Sequence, residues 1–207
     1  MTELRTTASN SWSIPQAAAV AFFSLLVGIS VGWMVHKSRT GRAGSLSPPH
    51  GSAPSIPSPT DLKAAADSQA APLIEQLKAD PANAALLSKI GNIYYDAKQY
   101  PVAIEYYERS LRSQPNDTSV RTDMGTAYWY NGDADTAIAE FQKVLSYEPT
   151  KANALFNLGV VKWKGKNDPA GAIAEWQKLL AANPGFEARA KVEEMIAQAQ
   201  ATMTEKP

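Results

Sequence analysis

The stretches Ala137-Ile138-Ala139-Glu140-Phe141-Gln142-Lys143 and Ala172-Ile173-Ala174-Glu175-Trp176-Gln177-Lys178 are one heptapeptide that differs only at its aromatic residue. They belong to a longer register. Gly91, Gly125 and Gly159 lie 34 residues apart, as do Tyr94 and Tyr128, and Pro115 and Pro149. A fixed period of this length marks one supersecondary unit repeated along the chain, a solenoid whose stacked units bury a continuous core and expose an extended surface. The two heptapeptides are 35 residues apart, so one residue is inserted within 164–171, where a turn would absorb it at least cost.

The pattern has a physical reading. Glycine or alanine at Gly91 and Ala103 lets two helix backbones approach, while Tyr94 and Tyr107 fill the space beside them. Pro115 and Pro149 stop each second helix, and the polar residues after the first of them, Asn116, Asp117 and Thr118, are suited to cap the next helix. The first copy reads Leu87, Gly91, Tyr94, Ala103, Tyr107, Pro115; the second, Gly125, Tyr128, Ala137, Phe141, Pro149; the third, Leu155, Gly159, Ala172, Trp176, Pro184. On these residues each copy resembles a tetratricopeptide repeat (TPR), a helix-turn-helix family whose members mostly hold other proteins. The resemblance implies an all-α superhelix, an α-solenoid of three repeats over 84–117, 118–151 and 152–185. Composition agrees, since Ala, Leu, Glu, Gln and Lys dominate and no strand-like alternation stands out.

Flanking the repeats, Leu62, Leu73, Ile74 and Leu77 give 61–83 a helical apolar pattern, with Pro72 marking a kink or a fresh start. Pro81 falls one period before Pro115, which makes this segment a capping helix or a degenerate half-repeat. At the other end, Phe186, Val192, Met195 and Ile196 make 186–203 a capping helix over the last repeat's apolar face.

The N-terminal part is of another kind. No Asp, Glu, Lys or Arg occurs between Thr6 and His36, and after a tail at 1–13 the run 14–35 is apolar and long enough to span a bilayer, with Trp12 and Trp33 near its ends. A permanent single-pass anchor is the expectation; a cleaved signal peptide, which favours a shorter core and a basic start, is the other reading. Ser24, Gly28 and Gly32 form a small-residue side on which a second membrane helix would pack. Residues 36–60 join a basic flank to a spacer carrying Pro48, Pro49, Pro54, Pro57 and Pro59, extended and semi-rigid. Lys37, Arg39 and Arg42 outweigh Arg5, which by the positive-inside rule puts the repeats in the cytoplasm. A resemblance to the periplasmic TPR portions of bacterial cytochrome c assembly factors implies the opposite face of a bacterial inner membrane, and that side is the expectation taken here.

Chemistry is scarce in the repeats. The chain has no cysteine, and its two histidines, His36 and His50, precede them. A Ser-His-Asp or Cys-His nucleophile is thereby excluded there, and zinc, haem or copper ligation is disfavoured. Glu105 with Glu108 and Glu193 with Glu194 read as solvated helix faces, and Gly125 and Gly159 as packing positions rather than a phosphate loop. No enzyme, cofactor, metal site or nucleic-acid partner is expected. Function is expected on the inner wall lined by the first helix of each repeat. Residues one period apart there form the columns Tyr95, Trp129, Trp163; Asn92, Thr126, Val160; Asp96, Tyr130, Lys164; and Lys89, Asp123, Asn157. Aromatic rings flanked by Asn and Thr suit an extended peptide or partner helix, while the competing reading has the rings packing between repeats. Some TPR domains grip a chaperone's C-terminal carboxylate with lysines, asparagines and an arginine. Of that set only Asn92 is matched, and Asp123 brings the wrong sign, so a cationic or apolar segment is the expected ligand. The reading is a membrane-tethered scaffold holding a protein client for an envelope process such as cytochrome c maturation; the alternative is a homo-oligomer with no client.

Overall fold

The computed structural model describes residues 57–204. The tail, the 14–35 span with Ser24, Gly28 and Gly32, both histidines and most of the proline-rich spacer lie outside the described residues. Among the described residues no helix is long and apolar enough to cross a membrane. They form α1 (Pro59–Leu77), α2 (Ala84–Asp96), α3 (Tyr100–Ser113), α4 (Thr118–Tyr130), α5 (Ala134–Tyr147), α6 (Ala152–Lys166), α7 (Pro169–Ala182) and α8 (Arg189–Thr204). Each helix packs chiefly on its sequence neighbours, and α4 also meets α6. The result is the expected solenoid of helix pairs α2/α3, α4/α5 and α6/α7 with a helix at either end.

The three glycines of the register sit where the paired helices touch. A Cβ built on Gly91 would lie 2.6 Å from a Tyr107 ring carbon, one on Gly125 2.9 Å from Phe141, and one on Gly159 2.3 Å from the Trp176 nitrogen. Tyr107, Phe141 and Trp176 are buried with essentially no exposure, so the rings have nowhere to retreat. Their polar atoms are satisfied: Trp176 Nε1 donates to the Phe156 carbonyl at 3.1 Å, and Tyr107 Oη donates to Asn92 Oδ1 at 2.7 Å. Three apolar clusters follow one another along the solenoid. The first spans α1 to α4, the second is centred on Phe141 and Leu158, and the third holds Trp163, Trp176 and Val192.

Helix ends follow their chemistry. Asn83 and Asp117 accept backbone N–H bonds at the starts of α2 and α4, as Asp133 and Asp168 do for α5 and α7. Lys151 occupies the cap position of α6 without a side-chain cap bond. Its Nζ instead reaches Thr118 Oγ1, Ser119 Oγ and Glu148, tying the second repeat to the third.

Three expectations need correction. The inserted residue of the third copy is taken up by a helix, not by the turn. The left-handed turn residues are Lys98, Gly132 and Asn167, so the extra residue precedes Asn167 and α6 runs to 15 residues against 13 in α2 and α4. Pro72 neither starts nor breaks a helix. Instead α1 begins at Pro59 under a Ser58–Asp61 capping box and runs through Pro72, its buried face centred on Ala66 and Ala70 against α2. The C-terminal helix begins at Arg189, after turns that lay Phe186 against Phe156, and it buries Val192 and Ala199.

One core position breaks the repeat. Arg121 stands where Leu87 and Leu155 stand in the other copies, and it is 5 % exposed. Its guanidinium reaches Glu140 at 2.6 Å and the Pro115 carbonyl at 2.7 Å. The matching carboxylate of the third repeat, Glu175, is bridged instead by Lys162 at 2.6 Å, one helical turn or more away. Burial alone would raise Glu175, but the bonds from Lys162 and Lys178 hold it below the ordinary carboxylate range.

Replacing Gly159 by alanine is expected to destabilise the fold by about 1–3 kcal/mol, since the added methyl must displace a buried, hydrogen-bonded indole. Gly185→Ala, which meets open space, is the control and is expected to be near neutral in the same urea titration.

Candidate functional site

The first helices α2, α4 and α6 share one side of the solenoid, and between them lies a groove of about 370 Å³. Its walls are Asn92, Tyr95 and Asp96 of α2, Asp123 and Thr126 of α4 and Asn157 of α6, with the Tyr107 hydroxyl of α3 at its floor. Six of these seven residues come from the wall columns read in the sequence. Helical periodicity explains why: residues three and four apart on α2 and on α4 share a face, and one period carries that face to the next repeat.

Hydrogen bonds orient the groove's polar groups. Asn92 Oδ1 is taken by Tyr107, which leaves its amide N–H groups for the opening. Asn157 Nδ2 donates to Thr126 Oγ1 at 3.1 Å, and Thr126 Oγ1 donates to the Thr122 carbonyl at 2.8 Å, bridging α6 to α4. Donors and acceptors, the groups that pair an extended backbone, therefore line the groove. Asp123 is accessible to water, yet it sits in a concavity whose walls displace solvent around it. That desolvation, reinforced by Asp117 and partly offset by Lys151, pushes its carboxyl up to about 6. Desolvation likewise raises the Tyr107 hydroxyl far above its ordinary range, with Asp123, Tyr95 and Asp96 adding to it.

The aromatic column does not line the groove as a ladder. Tyr95 does. Trp129 is half-buried and wedged beneath α6, where a Cβ on Gly165 would stand 2.7 Å from its ring. Trp163 is 8 % exposed and meets Trp176 edge-on at 5.7 Å in the core, with Lys164 Nζ 3.3 Å above its other face. Val160 packs at the margin of the same cluster. The end of α6, two residues longer than α2 and α4, lays Gly165 over Trp129, while Trp163 packs into the core on Trp176. Lys89 is exposed on α2 outside the groove lining. Tyr130, 56 % exposed, stacks on Tyr100 and stands edge-on to Tyr95. Tyr107 is the groove's unforeseen member, because it belongs to a second helix, and Tyr100 of the same helix packs on Tyr95 just outside the lining. The signal for Tyr107 was its place in the middle of α3 opposite Gly91, and that for Tyr100 its place at the start of α3 beside the end of α2. Of the carboxylate pairs, Glu108 accepts from the Tyr128 hydroxyl, and Glu193 and Glu194 pair with Arg189 and Lys191. Among the described residues no group of three or more His, Cys, Asp or Glu is placed to hold a metal ion.

Family models for the tetratricopeptide repeat match residues 84–117 and 122–185. The chain carries tetratricopeptide repeats. Solved TPR structures share its architecture. MamA is 22% identical with a TM-score of 0.56, covering 70% of this chain and 92% of its own. YrrB, described as a TPR protein with an unusual peptide-binding site, is 22% identical with a TM-score of 0.57, covering 64% of this chain and 68% of its own. The first TPR of Spaghetti (RPAP3), bound to the HSP90 peptide SRMEEVD, is 21% identical with a TM-score of 0.51, covering 57% of this chain and 93% of its own. At such identities the likeness is one of fold. No protein of curated function matches the sequence.

A carboxyl raised in the folded state takes up its proton before its unfolded counterpart, so Asp123 destabilises fully above about pH 6 and ceases to do so below about pH 4. Asp123→Asn is expected to raise stability at pH 7 by about 1 kcal/mol, a value reduced for a carboxylate that still meets solvent. Thermal unfolding curves of the two proteins should converge as pH falls from 6 to 4.

Proposed function

We propose that this protein is a membrane-tethered scaffold that holds an extended segment of a client protein in the groove between α2, α4 and α6. The observation that carries this reading is the groove itself: a trough with oriented amide and hydroxyl groups on both walls and an aromatic side chain at its edge. TPR domains of this fold bind peptides, the RPAP3 repeat with its HSP90 peptide and the yeast Sti1 TPR2B domain in an Hsp70 complex being examples. The charge pattern separates this groove from one built for an acidic chain end. Asp96 and Asp123 face the ligand, and their field repels a terminal carboxylate.

The tether rests on the sequence alone. The apolar run 14–35 supplies the anchor, and a proline-rich segment joins it to the repeats. We place the repeats on the periplasmic side of a bacterial inner membrane, with an envelope process such as cytochrome c assembly as the setting, on the resemblance to membrane-bound assembly factors.

Site-specific photo-crosslinking in native membranes tests both parts, with the reactive group at Thr126 in the groove and at Glu105 on the exposed side of α3 as control. A distinct adduct from Thr126 alone is the expected result, and the client's identity then reports the compartment. Adducts only between copies of the chain would favour a homo-oligomer instead, and adducts equal at both positions would remove the groove from the account. In vitro, the acidic heptapeptide SRMEEVD is expected to show no measurable binding at neutral pH by calorimetry.

A further inference from the structure

One corner of the groove is richer than backbone recognition requires. Tyr95 lines it from the end of α2, and Tyr100 at the start of α3 and Tyr130 at the end of α4 pack against Tyr95 at its rim. Tyr100 and Tyr130 stack with centroids 5.4 Å apart and planes 19° from parallel, while Tyr95 stands edge-on to them at 5.6 and 6.2 Å. An aromatic cluster formed only for packing would be covered, yet Tyr130 is 56 % exposed. Asp96 follows Tyr95 in α2, and Asp123 lines the same pocket from α4. Neither carboxylate has an ion-pair partner among the described residues. Lys164, in register with Asp96, lies on the Trp163 ring, and Lys151, which acts on Asp123, is held by Glu148, Thr118 and Ser119, while Lys89, one period before Asp123, is exposed and bridges to neither carboxylate.

Ring faces carry negative quadrupole potential, and carboxylates supply a counter-charge. An ammonium is a compact point charge that meets a ring face or a carboxylate without planar geometry to match both. A guanidinium answers both, because its flat face stacks on an aromatic ring while its edge N–H groups bond a carboxylate. The chemistry that completes this corner is therefore planar and cationic.

We propose that the Tyr95–Tyr100–Tyr130 corner is a subsite for an arginine side chain of the segment bound in the groove, its guanidinium stacked on Tyr130 and paired with Asp96. The subsite rests on the peptide reading of the groove and adds side-chain selectivity to it. Burial pushes the Tyr95 hydroxyl up to about 12, with Tyr130, Tyr100, Asp123 and Asp96 adding to the effect, so these groups act on one another through a shared, partly desolvated space. A cation entering that space meets every one of them favourably.

The test uses the full-length chain and a bead-displayed library of randomised nonapeptides. Enrichment of arginine at one peptide position, above lysine, is expected. A selected peptide should lose about tenfold in affinity when that arginine is replaced by citrulline, its neutral isostere, and by a similar factor in Tyr130→Ala. Tyr130→Phe, which keeps the ring face, should retain affinity. Tyr130 is exposed, so neither variant threatens the core. Enriched peptides without a preferred arginine, or equal binding of the arginine and citrulline forms, would overturn the subsite and leave the groove reading standing. No enriched peptide at all would overturn both. Enrichment seen only with Lys37→Gln, Arg39→Gln and Arg42→Gln combined would assign the corner to the chain's own basic segment and overturn a partner in trans.

Discussion

The close approach of a glycine to a buried aromatic ring, made at Gly91 and Tyr107, Gly125 and Phe141, and Gly159 and Trp176, is the contact on which the solenoid depends. It sets the separation of the two helices in each repeat, because the ring occupies the space a side chain would fill. Helix pairs built on the same contact stack one on the next, and that stacking brings α2, α4 and α6 to one side. The groove is a consequence of that spacing. Its polar floor follows too, since the Tyr107 ring that meets Gly91 also projects its hydroxyl to Asn92.

The third repeat shows how a small sequence change redirects a surface. One additional residue lengthens α6, whose end lays Gly165 over Trp129, and Trp163 packs against Trp176 in the same repeat. Aromatic residues that by register belong to the inner wall thereby become core. The open part of the wall contracts toward the first two repeats, where Tyr95, Tyr100 and Tyr130 stay accessible beside two unpaired carboxylates. The groove's two carboxylates thus stand beside accessible aromatic rings, while Asn157 is its contribution from the third repeat.

Charge inside the core is arranged differently in each repeat. Arg121 enters at a position that is leucine elsewhere and neutralises Glu140, whereas Lys162 approaches the equivalent Glu175 from another turn. An unpaired carboxylate at such a depth would be strongly destabilising, so each glutamate brings its own cation. These pairs lock neighbouring helices in register, and they leave the groove's carboxylates as the ones facing an incoming ligand.

The sequence by itself determined the helix pairs, their boundaries to within a few residues, the glycine and aromatic partners and the wall residues Asn92, Tyr95, Asp96, Asp123, Thr126 and Asn157. These depend on local propensity, proline placement and a period that repeats by simple addition. What only the tertiary structure decided was which wall residues remain open. A column of residues one period apart assumes identical repeats, and neither the lengthened α6 nor the passage of α1 through Pro72 is visible in that assumption. Tyr107 joins the groove from the neighbouring helix through space, Tyr100 packs on Tyr95 at its rim, and Trp163 leaves it because burial against Trp176 is more favourable than exposure to water.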